Sequence, residues 1–221
     1  MKVLVQRIAD NPHYIRVFEW GKLVAVTGSA QILVQAVGLI SGILVIRLLP
    51  TQEYALYTLA NTMLGTMTNL ADGGISAGVM AHGGKVWQHR EKLGVVLVTG
   101  LDLRKKFAVG SLLVATPVLL YLLHHHGASW LMSALITVSL IPAFVTALSG
   151  GLLVVAPLLQ QDIFPIQKNQ INTNLGRLAL LMLTLFFFPL TFLAVLAAGI
   201  PQIWANRRLR KISVGYADWN Q

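Results

Sequence analysis

Apolar positions in this chain gather into long blocks instead of recurring on one face of short elements. Residues 23–46 hold 24 positions and residues 130–157 hold 28, neither block with a single charge. A helix that crosses a bilayer needs roughly 20 mostly apolar residues. The pattern predicts six transmembrane helices, at about 23–46, 54–80, 107–123, 130–157, 165–188 and 190–204. The second carries Asp72 near its far end, and the fifth has a polar first half beginning near residue 163 or 171. Only Pro189 parts the last two, so residues 178–204 as one helix kinked at that proline is the five-span alternative. The expectation is an all-α membrane protein, one domain over residues 1–221, with six helices in one bundle.

Charge fixes the orientation. Lys2, Arg7, Arg16 and Lys22 precede the first span, and Lys85, Arg90, Lys92, Arg104, Lys105 and Lys106 lie in the connection 84–106. Lys168 stands before the fifth span, and Arg207, Arg208, Arg210 and Lys211 follow the sixth. With six spans all of these fall on one side, which the positive-inside rule makes the cytoplasm, with both termini there as well. Five spans would place the 207–211 cluster outside. The connection 84–106 contains an apolar stretch, 93–101, that reads as an amphipathic helix lying on the membrane surface.

Composition agrees with the pattern. Of the 221 residues 55% are apolar and 11% charged, against about 25% charged in an ordinary soluble domain. The net charge of +9 sits at the ends of apolar blocks, so membrane lipid is the partner it implies, and nucleic acid is not expected. There is no cysteine, hence no thiolate metal site, and the polar N-terminal stretch does not read as a cleavable signal. No cofactor is expected. No Walker-type loop, HExxH or paired carboxylates occur, and the eight acidic residues are scattered, so the chain is not read as an enzyme. His124, His125 and His126 lack a convergent acidic ligand and read as a solvated loop, not a metal site. Gly73–Gly74 and Gly83–Gly84 read as caps or bends.

Polar residues inside the spans are the candidates for chemistry. Gly28, Gln31, Gln35, Gly38 and Gly42 share one face of the first helix. Such a stripe serves either as a helix-packing seam or as the lining of a wet cavity. Asn61, Gly65, Thr68 and Asp72 repeat the spacing in the second helix, and Gln170, Asn174 and Arg177 in the fifth, with Asn172 beside them. Arg177 lies nine residues past Lys168 and so well inside the membrane boundary. An intramembrane arginine lines a pathway, snorkels to the interface, or pairs with a carboxylate, here Asp72.

Three pieces of the N-terminal part resemble the polysaccharide and O-antigen flippases of the multidrug/oligosaccharidyl-lipid/polysaccharide exporter superfamily. They are the glycine- and glutamine-bearing helix 28–42, the turn RLLPTQEYALY at 47–57, and LADGGISAG at 70–78. Ala55 stands where the family usually has glycine and Gly73 where it usually has leucine. Past Lys106 only the span rhythm and the polar start of the fifth span are alike. The resemblance implies a fold like half of a MATE-like flippase in the bacterial inner membrane. It implies a role in moving an undecaprenyl-pyrophosphate-linked glycan for polysaccharide or O-antigen biosynthesis. The polar head of such a lipid needs hydrogen-bonding side chains and cations in a cavity. Arg47, Arg177, Gln31, Gln35, Asn61, Asp72, Asn172 and Asn174 are the residues placed for that role. Family members resemble two six-span bundles, so a second bundle, from a homodimer or a separate chain, is the implied partner. The competing readings are a non-transporting subunit or scaffold of a polysaccharide assembly complex, and an unrelated small transporter acting as a dimer. Dry seams and an Arg177–Asp72 pair would favour the scaffold, whereas a wet cationic cavity would favour transport.

Overall fold

The computed structural model describes residues 12–219, with side chains from Thr27 to Trp219. The readings that rest on Lys2, Arg7, Arg16, Lys22 and the N-terminal segment lie outside these described side chains. All regular structure among the described residues is helical. The helices are α1 (Pro12–Leu48), α2 (Thr51–Asp72), α3 (Ile75–Val86), α4 (Arg90–His125), α5 (Trp130–Leu153), α6 (Val155–Leu159), α7 (Phe164–Phe187) and α8 (Thr191–Tyr216).

Three segments are long and apolar enough to cross a bilayer: Thr27–Leu48, Arg90–His125 and Trp130–Leu159. The other expected spans fall on α2, α7 and α8, whose polar stretches hold them below that mark. Two boundaries differ from the sequence reading. The helix expected over 54–80 is broken after Asp72, because Gly73 and Gly74 both take the left-handed backbone, with φ of 47° and 84°. A Cβ at either position would be strained, so glycine is what the break demands. The stretch 93–101 is not a separate surface helix. It is the beginning of α4, which runs unbroken through Arg104, Lys105 and Lys106, since no glycine–proline break interrupts residues 101–107. At 1.5 Å per residue α4 is about 54 Å long, well beyond the roughly 30 Å of a hydrocarbon core. At the other end of the chain, Phe188–Pro189–Leu190 separates α7 from α8, so these are two helices and not one kinked helix.

The interior is apolar and layered along the bundle. Leu56, Leu119, Ile136, Leu181 and Leu185 fill one end, Met67, Ala108 and Phe144 the middle, and Leu93, Leu97, Leu152 and Val155 the other end. Helix α5 packs on α4 and α8, and α7 packs on α8 and α1. The crossing of α5 and α8 is close because Gly199 has no side chain: a Cβ there would lie 3.3 Å from Ala143 Cβ. Among the described residues α1 packs closely only on α7, and Ile32, Leu33, Leu39, Ile43 and Ile46 remain exposed along it. On a helix of this hydropathy such a surface suits acyl chains.

The turn at 47–57 has a structural use. The Glu53 carboxylate accepts the backbone N–H of Thr191 at 2.7 Å and its hydroxyl at 2.6 Å, while the Thr191 hydroxyl also lies 2.7 Å from the Glu53 carbonyl. Glu53 therefore caps α8 from a distant part of the sequence, and its negative charge sits against the positive end of that helix. Glu53→Ala is expected to lower stability by about 1–2 kcal/mol, the scale of a lost helix cap. Glu53→Gln, which keeps an acceptor, is expected to recover about half of it. Thermal unfolding of the purified variants in detergent measures both.

Candidate functional site

Two polar cavities lie one above the other against α7. The upper one, about 390 Å³ and open on one side, is lined by α1 at Gly38, Ser41 and Gly42, by α2 at Tyr57 and Asn61, and by Arg177 of α7. The lower one, about 420 Å³, takes Gln31 of α1, Gln170 and Asn174 of α7 and Asn206 of α8. Gln31 meets Asn174 below, and Gly38 meets Arg177 above, so α1 and α7 run in the same direction with their polar stripes in step.

No other described helix of this chain packs on the glycine stripe of α1. A Cβ added at Gly28, Gly38 or Gly42 would have no neighbour within 4 Å, and the same holds for Gly65 of α2. Small residues here leave room beside the helix instead of drawing another helix close. Gly38 and Gly42 line a cavity.

Arg177 is the cation of the upper cavity. Its Nη2 lies 3.5 Å from the Tyr57 hydroxyl, a long contact, and its Nε is buried with no hydrogen-bond partner. No carboxylate forms an ion pair with it among the described residues. A guanidinium has five N–H donors, and one long bond to a phenol leaves most of its capacity open. The expected partner, Asp72, is engaged elsewhere. Its Oδ1 accepts from the backbone N–H and hydroxyl of Ser76 at 3.2 and 2.8 Å, capping α3, and from Arg104 Nε at 2.9 Å.

The other sequence-predicted residues divide. Asn61 lines the upper cavity, its amide donating at 3.0 Å to the Tyr57 carbonyl. Gln31 and Asn174 line the lower cavity. Asn172 is half-buried and Gln35 exposed, and neither lines either cavity. Arg47 is exposed in the last turn of α1, where its charge complements the negative end of the helix. Asp72 belongs to neither cavity.

Arg104 was read among the cytoplasmic basic residues, yet it is 5% exposed. Besides Asp72, it donates to the Leu148 carbonyl at 2.6 Å and to the Ser76 hydroxyl at 2.7 Å. The signal was present in the sequence: Gly100, Ala108, Ser111 and Ala115 share its face of α4, and all are buried. A small-residue face marks a helix side that packs, and an arginine on it must be paired. The glycine pair of α5 makes the room. A Cβ at Gly151 would lie 3.0 Å from Arg104 Nη1, and one at Gly150 would lie 3.0 Å from Asn206 Oδ1. Asn206 in turn donates to the Thr146 carbonyl at 2.6 Å and the Ser149 hydroxyl at 2.9 Å.

The described residues contain no group of three or more histidines and carboxylates able to hold a metal ion. His124 instead stacks on Trp130 at 4.4 Å between ring centres, and its Nδ1 lies 3.0 Å from the Ala128 carbonyl. What the site offers is one cation with open donors, a phenol, carboxamides and hydroxyls in two adjoining polar spaces. No protein-family profile matches the sequence, and no match is found among characterised proteins or solved structures.

Proposed function

We propose that the chain carries the polar head of a lipid-linked oligosaccharide across the bacterial inner membrane for polysaccharide or O-antigen assembly, with both termini in the cytoplasm. One observation carries this reading: Arg177 faces a polar cavity with its Nε unpartnered and no carboxylate to neutralise it. A buried cation is costly in hydrocarbon, and one left unpaired suits an anion that comes and goes. Guanidinium geometry matches phosphate. The scaffold reading called for an Arg177–Asp72 pair, whereas Asp72 is held by Arg104.

In this reading the chain works as one half of the carrier. The unfilled space beside Gly28, Gly38 and Gly42, and the exposed amide of Gln35, would be covered by a second bundle. Polar groups facing acyl chains without partners cost several kcal/mol each. A second copy of the chain or a separate subunit would supply that cover, and alternating access by rocking of two bundles needs both.

Arg177→Ala is expected to abolish glycan export in cells while the protein still inserts and accumulates in the membrane. Arg177→Lys is expected to restore only part of it, because an ammonium lacks the planar fork. Surface glycan measured on cells expressing each variant is the readout. Normal export by Arg177→Ala would remove the anion-binding role and with it this function.

A further inference from the structure

The lower cavity is chemically unlike the upper one. It brings together six carboxamides, Gln31, Asn169, Gln170, Asn174, Gln202 and Asn206, and no charged side chain lines it. They come from three helices, α1, α7 and α8. Their convergence is therefore a product of the fold and not of one amphipathic stripe.

The hydrogen bonds within the cavity leave capacity over. Asn169 is only 5% exposed, and its amide donates at 3.2 Å to the Ala205 carbonyl, yet its Oδ1 is buried without a partner. Asn174 spends a donor on the Gln170 carbonyl at 2.9 Å and keeps its acceptor. The side chains of Gln31, Gln170 and Gln202 are exposed and have no hydrogen bond to another described residue. A buried acceptor without a partner costs about 1–3 kcal/mol. A space with such an acceptor and several unspent amides is built to receive groups that both donate and accept.

We infer that the lower cavity binds the neutral, polyhydroxylated part of the ligand whose phosphate is held at Arg177, so that the two cavities form one composite site for a sugar phosphate. A carboxamide presents donors and an acceptor side by side, as a sugar hydroxyl does, and it carries no charge of its own. The spacing fits a joined ligand. Gln170 and Arg177 are seven residues apart on α7, about 10 Å along the helix. The polarity follows from the same register: the hydroxylated part lies on the Lys168 side of the phosphate.

This inference rests on the anion-binding role of Arg177, and the test separates the two. The full chain is reconstituted in phosphatidylcholine nanodiscs, and binding of dissolved glucose 1-phosphate and of inorganic phosphate is compared by calorimetry. Glucose 1-phosphate is expected to bind at least about tenfold more tightly, a difference of about 1.4 kcal/mol. In the double variant Gln31→Leu/Gln170→Leu, both at exposed positions, that ratio is expected to fall to about one. A ratio near one in the unmodified chain, or one that survives the double variant, overturns the sugar assignment while the role of Arg177 stands. Absence of binding by both probes overturns both readings. Repeating the measurement in phosphatidylglycerol nanodiscs identifies the source of the head group. Probe binding that persists supports a sugar phosphate, whereas its loss to the anionic lipid assigns the cavity to an ordinary lipid head group and overturns the inference.

Discussion

Arg104→Ala is expected to destabilise the chain by about 3 kcal/mol, the largest loss from any single polar substitution considered for it. The loss has two parts. Arg104 ties α4 to Asp72 at the end of α2, to Ser76 in α3 and to the Leu148 carbonyl in α5, so one truncation removes bonds to three helices. It also leaves the Asp72 carboxylate without its cation, and breaking one side of a buried pair costs about 3–5 kcal/mol. The lower end applies, because the Asp72 side chain keeps 27% of its surface exposed against 6% for Arg104. Arg104→Lys is expected to recover less than half. An ammonium at the end of a flexible stem cannot reach the carboxylate, hydroxyl and carbonyl together. Asp72→Asn keeps an acceptor for the α3 cap but strands the guanidinium, and is expected to fall close to Arg104→Ala. Thermal or denaturant unfolding of the two single variants and the double variant gives the coupling. Strict additivity would show that the two charges do not depend on each other, and would remove this account.

Gly94→Ala is expected to detach the C-terminal segment. A Cβ at Gly94 would lie 1.7 Å from the Asp218 carbonyl oxygen and 2.7 Å from its carbon, a clash with backbone that no rotamer change relieves. The segment must lift. It would take with it the bond from the Asp218 N–H to the Arg90 carbonyl at 3.1 Å and the contact of Trp219 Nε1 with the Ser213 hydroxyl at 3.1 Å. Trp219 and Ala217 also pack on the cluster that contains Leu93 and Leu97, so apolar contact is lost as well. Amide exchange at Asp218 is expected to speed up on the order of 100-fold, equivalent to about 2.7 kcal/mol of local opening. Unchanged exchange there would mean that the segment does not rest on α4.

Helical class and the long apolar segments were legible because they depend on run length, and length is written directly in the sequence. The blocks at 23–46 and 130–157 show this. The breaks were harder. Gly73–Gly74 was readable as a bend, but only the backbone angles show that it ends α2 outright. The continuity of α4 through three consecutive basic residues was missed because the charges were taken to mark a boundary. A helix of that length carries them beyond the hydrocarbon without stopping. At the site, Arg177, Asn174, Gln31 and Asn61 were legible because they lie on stripes within single helices. Asn206 and Gln202 were not, since their meeting with Asn169 is set by how α7 crosses α8. Tyr57, buried beside Arg177, entered the sequence reading only as the last residue of the 47–57 turn. Asp72 was weighed only as one alternative partner of Arg177, and its pairing with Arg104 is set by packing.

The glycine pair of α5 has a mechanical consequence. Gly150 and Gly151 are adjacent, yet each receives a polar side chain from a different helix, Asn206 of α8 and Arg104 of α4. A side chain at either glycine would press on one of those groups, which would have to shift. Three helices thereby meet at a single glycine pair. Among the described residues α1 has no such glycine contact and packs closely only on α7. Arg104 of α4 and Asn206 of α8 thus meet α5 at one glycine pair, whereas the two polar cavities lie beside α1.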